Sequence, residues 1–173
     1  MDAAIIIPPN EFRDETLSEI IIILNKWGVK PHIASYTSSV CTGYHGARFH
    51  PDLKADALNA HDFDALIIID GPGFDQYQLN KYRPLFETIK EFAAKQKVVM
   101  GIGNAVEAIA KSNIIKNVKI AYPESKNVAD AVSLYSGVIT RNRVEADKNV
   151  ITATSYANTA EAVNRLLIAL GAK

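Results

Sequence analysis

The segment Gly101-Ile102-Gly103-Asn104-Ala105 has the pattern of a strand–turn–helix elbow, an element that presents a catalytic nucleophile above a sheet. It follows the apolar run Val98–Ile102 and leads directly into a helical pattern. The first N–H groups of a helix lack intrahelical acceptors, so such a turn favours an anionic group. The tip residue, Gly103, has no side chain that could attack a substrate. A dinucleotide-binding turn is the competing interpretation, but the third glycine of that fingerprint is absent.

Other groups that could perform acid–base or nucleophilic chemistry also follow predicted strands or begin predicted helices. Asp70 ends an apolar strand and could act as a general base if it is desolvated, or could simply accept hydrogen bonds from turn amides. Glu15 and Tyr122 are further acid–base candidates. The only cysteine, Cys41, has no basic neighbour in sequence to lower its pKa, which favours an unreactive or interface thiol over a nucleophile.

No metal site or cofactor is predicted. His45 and His50 are five residues apart, and a metal ion would need further ligands that the sequence does not identify. A single cysteine also excludes an intramolecular disulfide and a multi-thiolate zinc site.

The elements that must position these groups are apolar strands alternating with helices. This order predicts βαβ units, and therefore a mostly parallel sheet covered by helices on both faces. The predicted strands are Ala3–Ile7, Val29–Ser35, Asp64–Ile69, Val98–Ile102, a short strand at Ile120, and the pair Val138–Val144 and Val150–Ala153; the predicted helices are Thr16–Trp27, Asn80–Lys95, Ala105–Lys111, Asn127–Tyr135 and Asn158–Leu170.

Three local patterns refine this prediction. The run Ile20–Ile23 makes the first helix apolar nearly all round, so we expect it to be sandwiched, with Trp27 in the core. Asn158 and Glu161 have the spacing of a capping box at the start of the last helix. The composition of segment 42–46 is typical of an exposed excursion of the hairpin type.

Length and composition limit the class of protein. The chain has 173 residues, which favours one domain over residues 1–173. Its 19 basic and 19 acidic residues balance, so no basic surface for nucleic acid or anionic membrane is indicated. No apolar run approaches the length that spans a bilayer, and we expect a cytoplasmic protein.

Six short segments, in order along nearly the whole sequence, match the pattern of one protein family: Asn10-Glu11-Phe12 with Asp14, Ile33-Ala34-Ser35, Thr42-Gly43 with His45-Gly46, Phe63-Asp64-Ala65-Leu66, Tyr122-Pro123 and Asn142-Arg143-Val144-Glu145. In these segments the chain resembles the PfpI superfamily, that of intracellular protease I. The resemblance implies a flavodoxin-like three-layer α/β sandwich of the class I glutamine amidotransferase-like type, and a homo-oligomer, because members commonly self-associate.

The family's working residues correspond to changed positions in this sequence. The nucleophilic cysteine of the elbow tip corresponds to Gly103, and the following residue, often histidine, corresponds to Asn104. The glycine pair that completes the oxyanion hole corresponds to Asp70-Gly71.

In the resembled family, a glutamate on the first helix hydrogen-bonds the cysteine. This acid position corresponds to Thr16 when residues are counted back from Gly28, and an associated acidic position corresponds to Arg13. A slip of one residue would place Glu15 at the acid position instead, but no slip restores the cysteine.

The resemblance and these changes together favour a family member that is not a thiol enzyme. Its pocket would keep the backbone amides of Gly71 and Asn104 and would bind a small anion or carbonyl compound without transforming it. Two alternatives stay open: a hydrolase or lyase of unfamiliar type that uses Asp70, Glu15 or Tyr122, and a structural or regulatory oligomer subunit.

Overall fold

The apolar runs of the sequence form one central sheet in the computed structural model, which describes residues 1–173. The strands are β1 Asp2–Ile6, β2 Asn10–Phe12, β3 Lys30–Ser35, β4 Cys41–Gly43, β5 Arg48–Phe49, β6 Leu53–Lys54, β7 Ala65–Ile68, β8 Val98–Ile102, β9 Lys119–Ile120, β10 Val138–Ile139, β11 Val144–Asp147 and β12 Val150–Ala153. The α-helices are α1 Asp14–Lys26, α2 Pro72–Gln76, α3 Arg83–Ala94, α4 Val106–Lys111, α5 Lys126–Leu134 and α6 Thr159–Ala169.

Seven strands form the central sheet in the order β11-β12-β8-β7-β1-β3-β6. All of its pairs are parallel except β11–β12, which is antiparallel. Alternate residues of the central strands point into two separate apolar layers. One layer packs against α3, α4 and α5, and the other packs against α1 and α6. The predicted α/β sandwich with a mostly parallel sheet is therefore confirmed.

The segment 80–95 is not one helix as predicted. A 3₁₀ turn covers Leu79–Lys81, and Tyr82 is extended before α3 begins at Arg83. Pro84 lies in the first turn of α3, where its missing N–H costs nothing, whereas a helix running through it would lose a hydrogen bond.

The predicted strand Val138–Val144 is two separate strands. Residues 138–139 pair in parallel with β9 in a small two-stranded sheet, whereas β11 begins at Val144 and pairs with β12. Apolar alternation predicts a strand but does not identify its partner, which here lies about twenty residues earlier in the chain.

Helix α1 is amphipathic rather than sandwiched. Ile20 is buried, but Ile22 is 67% exposed and Trp27 is partly exposed at the end of the helix. The side chains of four consecutive isoleucines must point around the whole helix, and only one face of α1 meets the sheet and α6. The prediction for both features was wrong.

The capping box predicted at Asn158 does not form. Residues 156–158 form a 3₁₀ turn, and the φ and ψ of Asn158 are −105° and 11° rather than the extended values of a capping residue. Its side chain makes no capping hydrogen bond, and its Oδ1 atom is buried without a partner.

The excursion predicted at residues 42–46 is a hairpin formed by β4 and β5, and it is hydrogen-bonded to the start of α1. The buried Asp14 carboxylate accepts hydrogen bonds from the backbone N–H groups of His45 and Ala47, at 2.8 and 2.7 Å. Burial alone would raise the pKa of the Asp14 carboxyl, but these two hydrogen bonds outweigh it and lower that pKa. A side chain at residue 43 would overlap the Asp14 carboxylate, so the hairpin can approach the carboxylate this closely only with glycine at that position.

No helix combines the length and apolar character that a bilayer crossing requires.

Candidate functional site

Two turns meet at the carboxyl ends of the neighbouring parallel strands β7 and β8, where open α/β sheets bind ligands. The turn after β8 begins at Gly103, whose φ of +58° lies in the left-handed region, and continues through a 3₁₀ turn into α4. The turn after β7 contains Gly71, whose φ is +133°. A Cβ atom at Gly71 would lie 2.5 Å from the carbonyl oxygen of Glu11, so only glycine fits there.

The Asp70 carboxylate lies beside the tip of the β8 turn. Asp70 is 5% exposed, and its oxygens accept hydrogen bonds from Arg13 Nε and from Thr16 Oγ1, each at 3.1 Å. The backbone N–H of Arg13 also donates to the Asp70 carbonyl, at 3.1 Å. A Cβ atom built at Gly103 would lie 3.1 Å from Asp70 Oδ2. The carboxylate therefore occupies the space into which a side chain at the turn tip would extend.

Burial raises the pKa of the Asp70 carboxyl, although the Arg13 guanidinium and the Thr16 hydroxyl act in the opposite direction. The pKa of Arg13 is raised, because the charges and hydrogen bonds of Asp70 and Glu15 outweigh the effect of its own burial. Asp70 therefore takes up a proton more readily than an exposed aspartate, which is a property of acid–base groups.

Arg13 is held by three partners at the start of α1. Beyond its bond to Asp70, its Nη1 atom lies 3.3 Å from Glu15 Oε1, and its guanidinium stacks over the Tyr156 ring at 4.3 Å from the centroid. Glu15 is also 3.9 Å from His45 Nε2. Its carboxylate orients Arg13 from outside and does not line the cavity.

Asn104 connects the two turns. Its Nδ2 atom donates to the Gly71 carbonyl and to Asp75 Oδ2, each at 3.1 Å, and its Oδ1 atom is buried without a partner. The side chain of the residue after the turn tip therefore holds the turns together.

A cavity of about 330 Å³ opens over these groups. It is lined by Arg13, Asp70, Gly71, Pro72, Gly103, Asn104, Val106, Ala121, Pro123, Glu124, Ser125, Val128, Ala153, Thr154, Ser155 and Tyr156. Glu124 forms a 3.3 Å ion pair with Arg143. The lining combines polar side chains with the apolar side chains of Val106 and Val128.

The structure brings Asp70, Gly71, Gly103 and Asn104 together at one cavity, with Thr16 directly behind Asp70. Tyr122 does not line the cavity: its side chain is 52% exposed, and its carbonyl accepts a hydrogen bond from Thr154.

Sequence reasoning missed the lining residues that follow β9 and β12, above all Ser125, Ser155 and Tyr156. For the residues that follow β12, the sequence does contain a signal. The pattern predicts the strand Val150–Ala153, and the residues after a parallel neighbour of β8 must lie at the same edge of the sheet.

The remaining sequence candidates lie away from the cavity. Cys41 is buried, its Sγ atom lies 3.8 Å from the Ser39 carbonyl, and burial raises the pKa of its thiol. His45 and His50 belong to no group of three or more side chains that could hold a metal ion.

Comparisons with known proteins agree with this architecture. The model of the DJ-1/PfpI family matches residues 1–169. An uncharacterized protein of Methanocaldococcus jannaschii, MJ0967, is 33% identical over 152 residues, which are 87% of this chain and 73% of that protein. The deglycase PfpI of Pyrococcus furiosus is 29% identical over 110 residues, or 64% and 65% of the two chains. The crystal structure of a ThiJ/PfpI domain protein from Brachyspira murdochii has a TM-score of 0.92 at 22% identity, covering 99% and 97% of the two chains.

Proposed function

The chain belongs to the DJ-1/PfpI family, and we propose that it is a member without a thiol nucleophile whose cavity binds a small polar molecule. The observation that carries this proposal is that the turn tip is a glycine, Gly103, and that the Asp70 carboxylate lies beside it. By the family resemblance, Gly103 corresponds to the nucleophilic cysteine, and a buried carboxylate, that of Asp70, is the nearest side chain to a Cβ atom built there.

An ionised carboxylate at this place disfavours a thiolate nucleophile. A thiolate at residue 103 would lie against the negative charge of Asp70, which would raise the thiol pKa and weaken the nucleophile. An oxyanion formed in the same space would meet the same repulsion. The only cysteine, Cys41, is buried in another part of the fold and cannot replace the missing thiol.

The cavity nevertheless keeps what a binding site requires. It has a defined volume, an apolar wall that includes Val106 and Val128, and polar groups that converge on the two turns. The N–H of Gly71 donates to no group of the protein, which leaves it available for a ligand oxygen.

The name of the Pyrococcus furiosus relative, deglycase, provides the first experiment. Deglycase, peptidase and esterase assays of the purified protein should give background rates. Iodoacetamide treatment and Cys41→Ser should change nothing in these assays. A rate that either treatment abolishes would overturn the proposal.

Binding is tested separately by titrating the ¹⁵N-labelled protein with a library of small polar fragments. Saturable shifts should appear at Gly71, Gly103 and Ser155. Ser155→Leu should weaken binding by placing a large side chain in the cavity. Ser133→Leu, on the exposed side of α5, is the matched control and should leave binding unchanged. Shifts confined to other surfaces would contradict the proposal.

A second candidate function, an acid–base enzyme that uses Asp70, is favoured by one observation: Asp70 is buried, lines the cavity and has a raised carboxyl pKa. This candidate predicts turnover of a fragment that binds, and it requires that Asp70→Asn abolish the turnover while binding persists.

A further inference from the structure

We propose that the cavity selects an uncharged ligand with a primary carboxamide group and rejects the corresponding carboxylate; this inference rests on the proposed binding function. It follows from the charges around the cavity, from the open approach to Asp70, and from the donor that lies next to it.

The charges around the cavity disfavour an anion. Asp70 and Glu124 line it, and two further carboxylates, Glu15 and Asp75, contact the lining residues Arg13 and Asn104. The neighbouring guanidinium groups are only those of Arg13 and Arg143. With these four carboxylates and two guanidinium groups ionised, their charges sum to two negative charges.

The cation that lines the cavity is already neutralised. Arg13 donates to Asp70 and lies within hydrogen-bond distance of Glu15, and Tyr156 covers one face of its guanidinium. An incoming carboxylate would therefore find no unpaired cation, and it would face Asp70. Like charges brought together at a binding site are strongly unfavourable.

The absence of a side chain at Gly103 leaves one approach to Asp70 open. Each carboxylate oxygen has two lone pairs, and the protein uses one on Oδ1, through Thr16, and one on Oδ2, through Arg13. Asp70 lines the cavity, and a Cβ atom at residue 103 would lie 3.1 Å from Oδ2, so any side chain there would cover this oxygen on the side of the turn. A ligand N–H placed over Gly103 can donate to it.

Beside the acceptor Asp70 Oδ2, the cavity has a donor, the N–H of Gly71, which is the residue that follows Asp70. It makes no hydrogen bond within the protein, and Gly71 lines the same cavity. An acceptor and a donor on consecutive residues match the N–H and C=O of one amide group. A carboxylate could use the Gly71 N–H, but it has no proton to offer Asp70.

The test compares fragments that differ only in this group: propionamide with propionate, and lactamide with lactate, titrated at neutral pH into the ¹⁵N-labelled protein. We expect the amides to shift the signals of Gly71 and Gly103 and to bind at least about tenfold more tightly than the acids. Asp70→Asn removes the charge and should reduce this preference. Glu124→Gln, a change of an exposed side chain that leaves the core intact, should reduce it in part.

The outcomes separate this inference from the proposed function. Acids that bind as tightly as the amides, or a preference unchanged in both variants, would overturn the amide inference while leaving a binding cavity. The amide inference also fails if neither pair binds while other fragments of the library do. A cavity that takes no fragment at all would overturn the proposed function as well.

Discussion

Replacing Gly103 by alanine tests the geometry on which the site depends. Two effects act in the same direction. The φ of +58° lies in the left-handed region, where a residue with a Cβ atom is less stable by about 1–2 kcal/mol. The new methyl group would also lie 3.1 Å from Asp70 Oδ2 and 3.2 Å from Asp70 Cβ. Asp70 cannot easily move away, because Arg13 and Thr16 hold its carboxylate.

Crowding of this kind in a packed region costs about 1–3 kcal/mol. We therefore expect Gly103→Ala to lower the free energy of unfolding by about 2–5 kcal/mol. The matched control is Gly28→Ala at the end of α1. Its φ is +72°, but a Cβ atom there would have no neighbour within 4 Å, so only the backbone effect remains.

The assay is urea denaturation of the wild type and both variants, followed by circular dichroism. Gly103→Ala should lose more stability than Gly28→Ala, and the difference measures the contact with Asp70. A raised midpoint for Gly103→Ala would show that residue 103 has an ordinary negative φ, for which alanine stabilises by about 0.4–1 kcal/mol. Equal losses in the two variants would show that Asp70 does not crowd the turn tip.

Three further predictions follow from the structure, and a fourth follows from the family resemblance. Native Cys41 should react with iodoacetamide only at the rate of unfolding, because the thiol is buried and its pKa is raised; fast alkylation of the folded protein would contradict this. Gly103→Cys alone should give no thiol activity, and Gly103→Cys with Thr16→Glu and Asp70→Gly should exceed it in an esterase assay; equal rates would mean that Asp70 and Thr16 are not the obstacle. Because the pKa of Asp14 is lowered by folding, its contribution to stability is complete above the unfolded pKa of about 3.9 and is lost as the pH falls through the lower folded value. Asp14→Asn should therefore lower the free energy of unfolding at neutral pH and weaken its dependence on pH in the acid range. An unchanged acid dependence would refute the contribution of Asp14. Light scattering should give at least twice the monomer mass of 18.9 kDa, and a monomer at micromolar concentration would contradict the homo-oligomer expected from the family resemblance.

The fold was predictable from the sequence because buried parallel strands give a strong local signal. Ala3–Ile7 and Val98–Ile102 are continuous apolar runs with clear ends, and they lie within one residue of β1 and β8. The left-handed glycine between β8 and α4 was also predictable, since a sharp strand-to-helix turn requires such a residue.

The features that the sequence did not predict depend on contacts between distant parts of the chain. The stacking of Arg13 on Tyr156 joins residues more than 140 positions apart, and no local pattern indicates it. The exposure of Ile22 depends on how much of α1 its neighbours cover, which the isoleucine run does not encode. The sequence also gives no signal for the two side chains at the start of α1, Arg13 and Thr16, that donate to Asp70, because they lie more than fifty positions before it.

The contact between Gly103 and Asp70 also restricts which sequences this protein can reach by single substitutions. Any side chain at residue 103 would crowd the Asp70 carboxylate. Removing the carboxylate first would take from Arg13 one of its three partners, and the only buried carboxylate among them. Each first step toward a nucleophile is therefore unfavourable by itself, although the combined change is consistent with the fold. We therefore expect libraries of random single substitutions to yield no thiol enzyme, whereas libraries that vary residues 70 and 103 together can yield one.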